Sequence, residues 1–330
     1  MNFFAVLLSL LIEQLKPLPR DNWVHDTLIS WVGWIGRNFD AGRERHAVVV
    51  WCITVLVPAA AAAAVFLFAA HHSLLLALAV NVLVLYLTLG FRQFSHYFTD
   101  IRDALERGEE DQARRLLGQW RHFDASDLPR ADLLRHVIEH SLLAAHRHVF
   151  GVFFCFIALS ALGLGPAGAV AYRMAEFTGR YWAYKTGTLD AAANLRLMQL
   201  SQRLFEFIDH VPARLTAFGF AVVGNFEEAI NVWRRDAGLW AHDNEGVLLA
   251  AAAGALGVQL GGQVIAESPP EAARAFGSSS DVESASATLG YTAGATPQAG
   301  HLQSVVGLVW RSVVLWLLLT ALLTLANLLG

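Results

Sequence analysis

The stretch Ala47–Ala70, "AVVVWCITVLVPAAAAAAVFLFAA", runs for 24 residues without a charge, and it decides the fold class of this chain. A helix that crosses the hydrocarbon core of a bilayer, about 30 Å thick, needs about 20 apolar residues. Ser73–Gly90 adds 18 uncharged residues, and Val305–Leu329 adds 25 residues with Arg311 as their single charge. These stretches predict an all-α, polytopic integral membrane protein with about four to five transmembrane helices.

The composition of the whole chain agrees with this class. Of 330 residues, 55% are hydrophobic and 16% are charged, whereas soluble domains carry about 25% charged residues. The net charge of −4 gives no reason to expect a nucleic-acid partner, and we expect membrane lipid to surround the chain. Cys52 and Cys155 lie far apart in apolar segments, which is typical of small core residues rather than of a disulfide or metal site.

Only His71 and His72 separate the first two spans, so these spans are predicted to form a tight helical hairpin. Arginines flank the hairpin at both ends, and the positive-inside rule places both flanks on the cytoplasmic side of a bacterial inner membrane. The predicted segments are an N-terminal interfacial helix and polar segment (1–46), the transmembrane hairpin (47–90), a cytoplasmic helical segment (91–148), a third transmembrane segment (149–171), an amphipathic helical segment (172–246), a Gly/Ala-rich apolar segment (247–266), a flexible low-complexity loop (267–304) and a C-terminal transmembrane helix (305–330).

Three of these segments carry finer expectations. Within the cytoplasmic segment, 98–121 predicts two short amphipathic helices that are broken at Gly108. The third span is expected to kink near Pro166. Residues 247–266 could form either a weakly apolar membrane span or a buried segment. The sequence does not determine the side of the membrane on which 172–246 lies.

The string "HVIEH" at 136–140 fits the H-x-x-E-H pattern of one class of zinc proteases, with His136, Glu139 and His140 as its members. A catalytic zinc needs a third protein ligand, and no downstream motif supplies one. Further histidines follow at His146 and His148, where the same helix is predicted to enter the bilayer. The pattern therefore favours the polar end of a helix, and we expect no zinc or other metal at these histidines.

Three stretches resemble the CobD/CbiB family of membrane proteins, whose members make adenosylcobinamide phosphate in cobalamin biosynthesis. They are "FIDHVPARLTAFGFAVVGNFEEAINVW" at Phe207–Trp233, "AAGALGVQLGG" at Ala252–Gly262 and "DALERGEEDQARRLL" at Asp103–Leu117. The resemblance covers most of the chain. It implies an ATP-dependent ligase that joins a corrinoid acid to an aminopropanol phosphate, with Mg²⁺ and ATP as cofactors and a corrinoid as substrate.

The resemblance also implies site residues. Carboxylates would hold Mg²⁺ or act as a base, and arginines would hold phosphate. Candidates for the catalytic groups are Glu139, Glu206 and Asp209. Glu206 and Asp209 lie three residues apart on one helix face, which suits either a cation site or the solvated face of an amphipathic helix. The residues that match the family pattern and are expected to bind substrate or phosphate are Arg173, Arg214 and Asn244; Tyr172, Pro212 and Gly246 match it as well.

Several acidic motifs of the cobalamin enzymes are absent, which keeps a second hypothesis open. After Tyr172 and Arg173 the expected Asn-Thr-Leu-Asp is replaced by Met174, Ala175, Glu176 and Phe177. The N-terminal "LLSLLIEQL" is similar to AmpE, a related membrane protein linked to β-lactamase induction. The alternative is therefore a non-catalytic, AmpE-like sensor of cell-wall stress. The sequence also leaves open whether the protein forms a homo-oligomer.

Overall fold

A computed structural model gives the fold of this protein for residues 2–16, 23–39, 44–121, 124–188, 192–263 and 288–329. The helices are α1 (Asn2–Leu15), α2 (Trp23–Phe39), α3 (Glu44–His72), α4 (Leu74–Thr88), α5 (Phe91–Glu106), α6 (Glu110–Arg121), α7 (Arg130–Ala145), α8 (Gly151–Ala161), α9 (Ala167–Thr188), α10 (Ala192–Val223), α11 (Phe226–Asp236), α12 (Asp243–Leu256) and α13 (Ala299–Leu329). A π-helical turn (His146–Phe150) joins α7 to α8, and two strands, β1 (Gly261–Gln263) and β2 (Thr288–Tyr291), form an antiparallel pair. The chain is thus an all-α protein with one small ribbon.

Three helical stretches are long and apolar enough to cross a membrane. They are His46–His72, Arg130–Ala161 and Ala299–Ala326, and two shorter apolar helices, Asn2–Leu15 and Leu74–Thr88, accompany them. His46–His72 and Ala299–Ala326 carry many apolar side chains that are exposed in the isolated chain, which is the pattern expected where lipid replaces water as the surrounding solvent, whereas Arg130–Ala161 is mostly buried. The chain is a membrane protein, as its composition predicts.

The chain divides into two compact units, and the first comprises Met1–Gln93, Arg147–Pro212 and Trp316–Gly330. The predicted hairpin is present: α3 ends at His72, and the side chain of Ser73 caps α4 by accepting a hydrogen bond from the Leu75 N–H at 3.3 Å. α1 packs against α4, and α9 packs against both α3 and α8. Apolar side chains of α2, α3 and α9 form the core of this unit.

The third span differs from the prediction. The helix that carries it begins at Arg130 and runs into the predicted span, but it ends at Ala161 instead of 171, so 162–166 form a turn and not a kink inside a helix. Gly163 and Gly165 adopt positive φ angles of +79° and +56°, which other residues rarely adopt. Pro166 follows directly and cannot continue a helical hydrogen-bond ladder. The chain therefore reverses, and α9 returns against α8.

The second unit comprises Phe94–His146 and Ala213–Leu315. The break at Gly108 is observed, with φ at +78°, between α5 and α6. The predicted apolar segment 247–266 contains α12, which has 14 residues and is about 21 Å long. That is shorter than the bilayer core of about 30 Å, and most of α12 is buried, so the structure favours the buried-segment alternative.

The predicted loop at 267–304 is shorter than expected at its C-terminal end. Its part at 267–287 lies outside the described residues. β2 begins at Thr288, and α13 already begins at Ala299, six residues before the predicted start of the last helix at 305. Polar residues such as His301 and Gln303 lower the hydropathy of this first turn but do not stop a helix from forming.

Candidate functional site

A run of glycines gives the chain after α12 its irregular path. Gly257 ends α12 in the left-handed conformation with φ at +64°, and Gly261 and Gly262 in β1 have φ angles of +93° and +98°. A Cβ at Gly262 would overlap the ring of Tyr291 and come within 2.8 Å of Nη1 of Arg135. Only glycine fits this backbone without strain.

Two side chains of α7 hold this glycine run by its main chain. Oε1 of Glu139 accepts a hydrogen bond from the Gly261 N–H at 2.7 Å, and Nη1 of Arg135 donates to the Gly261 carbonyl oxygen. The Arg135 guanidinium also lies 5.7 Å from the centre of the Tyr291 ring. We call Arg135, Glu139, Gly261, Gly262 and Tyr291 the glycine-loop cluster.

His136 lies between two arginines. Its Nδ1 is 3.2 Å from Nη1 of Arg121, and its Nε2 is 3.3 Å from Nη2 of Arg135. The ring of His140 instead packs edge-on against Trp120, with 4.4 Å between ring centroids. Both nitrogens of His136 thus face guanidinium groups, and its Nδ1 also lies 3.8 Å from Oε2 of Glu139.

Two further expected residues meet in the same unit. Nη1 of Arg214 on α10 donates a hydrogen bond to Oδ1 of Asn244 on α12 at 3.0 Å. Asn244 is buried at the start of α12. A Cβ at Gly246 would overlap the Ala237 carbonyl oxygen, so a glycine allows the two chain segments to approach closely. Arg214 is therefore positioned by an amide.

In the first unit, Asp209 is paired across helices. The Tyr172 hydroxyl on α9 donates a hydrogen bond to Oδ1 of Asp209 on α10 at 2.7 Å, and both residues are buried. Glu206 lies three residues earlier on α10 and is half-buried. The two carboxylates thus sit on one face of α10, but Asp209 is buried and Glu206 is partly solvated.

Arg173 belongs to a chain of ion pairs along α9. Oε2 of Glu176 accepts hydrogen bonds from Arg173 Nη1 at 3.2 Å and from Arg180 Nη2 at 3.1 Å. Glu176 is only 3% exposed. We call Arg173, Glu176 and Arg180 the α9 charge cluster. A buried carboxylate shared by two arginines leaves an excess of positive charge, which suits the anion-binding role predicted for Arg173.

The structure thus places the six predicted site residues in two separate groups. The second unit holds Glu139, Arg214 and Asn244, and the first unit holds Arg173, Glu206 and Asp209. Arg135 and Glu176 were not among the predicted site residues. Glu176 could have been found because it lies one helical turn after Arg173, whereas Arg135 bonds a segment 126 positions away and gives no local signal.

The carboxylates on α10 also bear on the cofactor implied by the resemblance. Within the described ranges, no group of three or more His, Cys, Asp or Glu side chains could hold a metal ion. Mg²⁺ is commonly held by one or two carboxylates, with phosphate and water completing its shell. Asp209 and Glu206 could supply those two carboxylates, although Oδ1 of Asp209 already accepts a hydrogen bond from the Tyr172 hydroxyl.

Comparison with known proteins connects these residues to one family. The model of the family described as CobD/Cbib protein matches residues 2–290. A cobalamin biosynthesis protein CobD of Stutzerimonas stutzeri is 31% identical over 285 residues, which cover 85% of this chain and 84% of that protein. The CobD of Chromobacterium violaceum is 34% identical over 188 residues, or 57% of each chain.

A more distant relative extends the match. The CobD of Leptospira interrogans is 24% identical over 263 residues, covering 78% of this chain and 80% of that protein. These relatives give no support to the AmpE-like alternative. No solved structure matches the chain.

Proposed function

Since this chain belongs to the CobD/CbiB family of cobalamin biosynthesis proteins, we propose that it is an active adenosylcobinamide-phosphate synthase of the bacterial inner membrane, with several passes through the bilayer. In this reaction the carboxyl group of adenosylcobyric acid is first activated by phosphate from ATP; the amine of an aminopropanol phosphate then attacks its carbon, the amide C–N bond forms, and the C–O bond breaks as phosphate leaves. The observation that carries the proposal is the family match over residues 2–290.

A carboxylate must be activated before an amine can displace its oxygen, and we propose ATP as the source of that activation. The residues proposed for the reaction have defined tasks. Glu206 and Asp209 would hold Mg²⁺, which would neutralise phosphate charge when bound. Arg173, with Glu176 fixing its side chain, would bind an anionic group of a substrate.

The second unit would contribute a binding surface. Arg214, which donates a hydrogen bond to Asn244, would contact a phosphate or carboxylate. Glu139 would act chiefly by fixing the glycine run, since its Oε1 is engaged by the Gly261 N–H. The chain lacks several acidic motifs of the family, but it retains Glu139 and Arg214.

The decisive experiment is complementation of a bacterial strain that lacks its cobalamin amide synthase. We expect growth without added cobalamin when this chain is expressed. The purified protein should form the amide from adenosylcobyric acid and aminopropanol phosphate only with Mg²⁺ and ATP. Glu206→Ala and Asp209→Ala should each lower the rate at least about tenfold, whereas Glu227→Ala, which removes an exposed carboxylate of α11, should not.

Failure of both complementation and amide formation would overturn the proposal. A deletion strain that grows normally without cobalamin but responds differently to β-lactams would instead favour the regulator. If Glu206→Ala retains full activity, the protein is still the synthase, but Glu206 does not hold Mg²⁺.

A further inference from the structure

The C-terminal helix α13 contains a single Asp, Glu, Lys or Arg residue, which is Arg311. This arginine lies within Ala299–Ala326, the stretch of α13 that is long and apolar enough to cross a membrane. A charged side chain is unfavourable in the hydrocarbon core of a bilayer, so it faces a polar partner or reaches the lipid headgroups. The position of Arg311 relative to the edge of the core therefore decides its role.

The exposed surface of α13 changes from polar to apolar at Arg311. Ser304, Arg311, Val314, Leu318 and Leu322 lie three, four or seven positions apart, so they share one face of the helix, and all five are exposed in the isolated chain. Every exposed residue described in α13 after Arg311 is apolar. The remaining 18 residues, 312–329, are about 27 Å long, which is close to the bilayer core of about 30 Å. This match places Arg311 at the edge of the core.

The geometry of the arginine agrees with this position. Its Nε donates a hydrogen bond to the Gly307 carbonyl oxygen at 3.1 Å, one turn earlier in α13. The side chain is thus directed towards the polar start of the helix and away from the apolar residues that follow. The neighbouring Trp310 is 40% exposed, and tryptophan is enriched where membrane helices meet the lipid headgroups.

We propose that Arg311, with Trp310 beside it, binds the phosphate group of an anionic phospholipid. The exposed face of a membrane helix meets lipid, and at the edge of the core the lipid presents its headgroup phosphate. A guanidinium group binds two oxygens of a phosphate at once and keeps its charge in a membrane. Val314 and Leu318, on the same face, would contact the acyl chains of the same lipid.

The net charge of the headgroup sets the preference among lipids. In phosphatidylcholine the choline group neutralises the phosphate of its own headgroup, whereas phosphatidylglycerol has no such cation and carries a net negative charge. Arg311 supplies the missing positive charge. This inference is independent of the proposed function, because α13 begins at Ala299, after the family match has ended at residue 290.

The test is native mass spectrometry of the purified full-length protein in detergent, with phosphatidylglycerol or phosphatidylcholine of identical acyl chains added in steps. We expect the first phosphatidylglycerol to bind about fivefold more tightly than the first phosphatidylcholine, the effect of one basic side chain on an anionic headgroup. Arg311→Gln should remove this preference. Because Arg311 is exposed, its replacement should leave the melting temperature within a degree or two of that of the unchanged protein.

Two further variants separate charge at this position from charge in general. Arg311→Lys keeps a positive charge on a flexible stem and should retain the preference within about twofold. Arg115→Gln removes the same charge from an exposed position of α6 and should retain it as well. A loss in Arg311→Lys as large as that in Arg311→Gln would contradict a site based on charge.

Three results would overturn the inference. The unchanged protein could bind both lipids equally, which would make Arg311 a boundary residue without lipid preference. Arg311→Gln and Arg115→Gln could lower the affinity for phosphatidylglycerol by the same factor, which would mean a general effect of net charge. A dimer that Arg311→Gln dissociates would assign this face of α13 to a second copy of the chain.

Discussion

In the glycine-loop cluster, Glu139 and Arg135 bind the main chain of Gly261, which lies 122 and 126 positions away, whereas in the α9 charge cluster every ion pair joins residues three or four positions apart. The first arrangement fixes the path of an irregular segment and exists only in the folded protein. The second can form on one isolated helix. Replacing a side chain of the glycine-loop cluster should therefore disturb tertiary structure. Replacing a side chain of the α9 charge cluster should mainly change the local balance of charge.

The largest effect is expected for Glu139→Ala. It leaves the buried Gly261 N–H without an acceptor and removes the carboxylate close to Arg135, so the free energy of unfolding should fall by about 3 kcal/mol. Glu139→Gln keeps an acceptor oxygen and should lose about half as much. Thermal unfolding of the detergent-solubilised protein measures both, with Glu227→Ala as the exposed control. Equal stability of Glu139→Ala and the control would contradict the role assigned to this contact.

Glu176→Gln tests the second cluster and should cost less, about 2 kcal/mol. The half-buried Arg173 loses its charged partner, but Arg180 is 54% exposed and is resolvated easily. Because the pairs lie within α9, we expect the overall fold to persist and the affinity for an anionic substrate to fall. A loss of stability as large as that of Glu139→Ala would mean that the α9 charge cluster is also a tertiary contact.

The same difference explains what could be predicted from the sequence. The Ser73 hairpin and the break at Gly108 depend on residues adjacent in the chain, and both are present as predicted. The end of the third span was placed ten residues too late, at 171 instead of Ala161, because the Leu and Gly residues of the turn still count as apolar. Hydropathy does not register that Gly163 adopts a left-handed conformation.

In the candidate site, too, local patterns could be predicted and contacts between distant residues could not. The resemblance singled out Tyr172 and Arg173 as positions that match the family pattern, and the three-residue spacing predicted that Glu206 and Asp209 share a helix face. The hydroxyl that bonds Asp209, however, comes from another helix. The pairing of Glu139 with Gly261 depends on how α7 packs near the end of α12, which no local pattern records. Side chains that bind distant main chain are thus the part of a site that sequence reasoning misses.

Tyr172→Phe tests a contact in the first unit that joins α9 to Asp209 on α10. It removes a buried hydrogen bond to the Asp209 carboxylate and should lower the free energy of unfolding by about 1.5 kcal/mol. Tyr181→Phe, in the same helix, is the matched control. If Asp209 holds Mg²⁺, Tyr172→Phe should also change the Mg²⁺ concentration needed for half-maximal activity, and a purely structural bond would leave that concentration unchanged.

Arg214→Lys is expected to have the smallest effect on stability, about 0.5 kcal/mol. The guanidinium donates to a neutral amide, Asn244, and a lysine ammonium can still supply one donor at that position. Lysine lacks the planar fork that binds two oxygens of an anion at once. If Arg214 contacts substrate, KM should therefore rise at least about fivefold while the melting temperature stays within a degree or two. A rise in KM without a loss of stability would separate ligand binding from folding within the second unit, whereas unchanged kinetics would reduce Arg214 to a contact between α10 and α12.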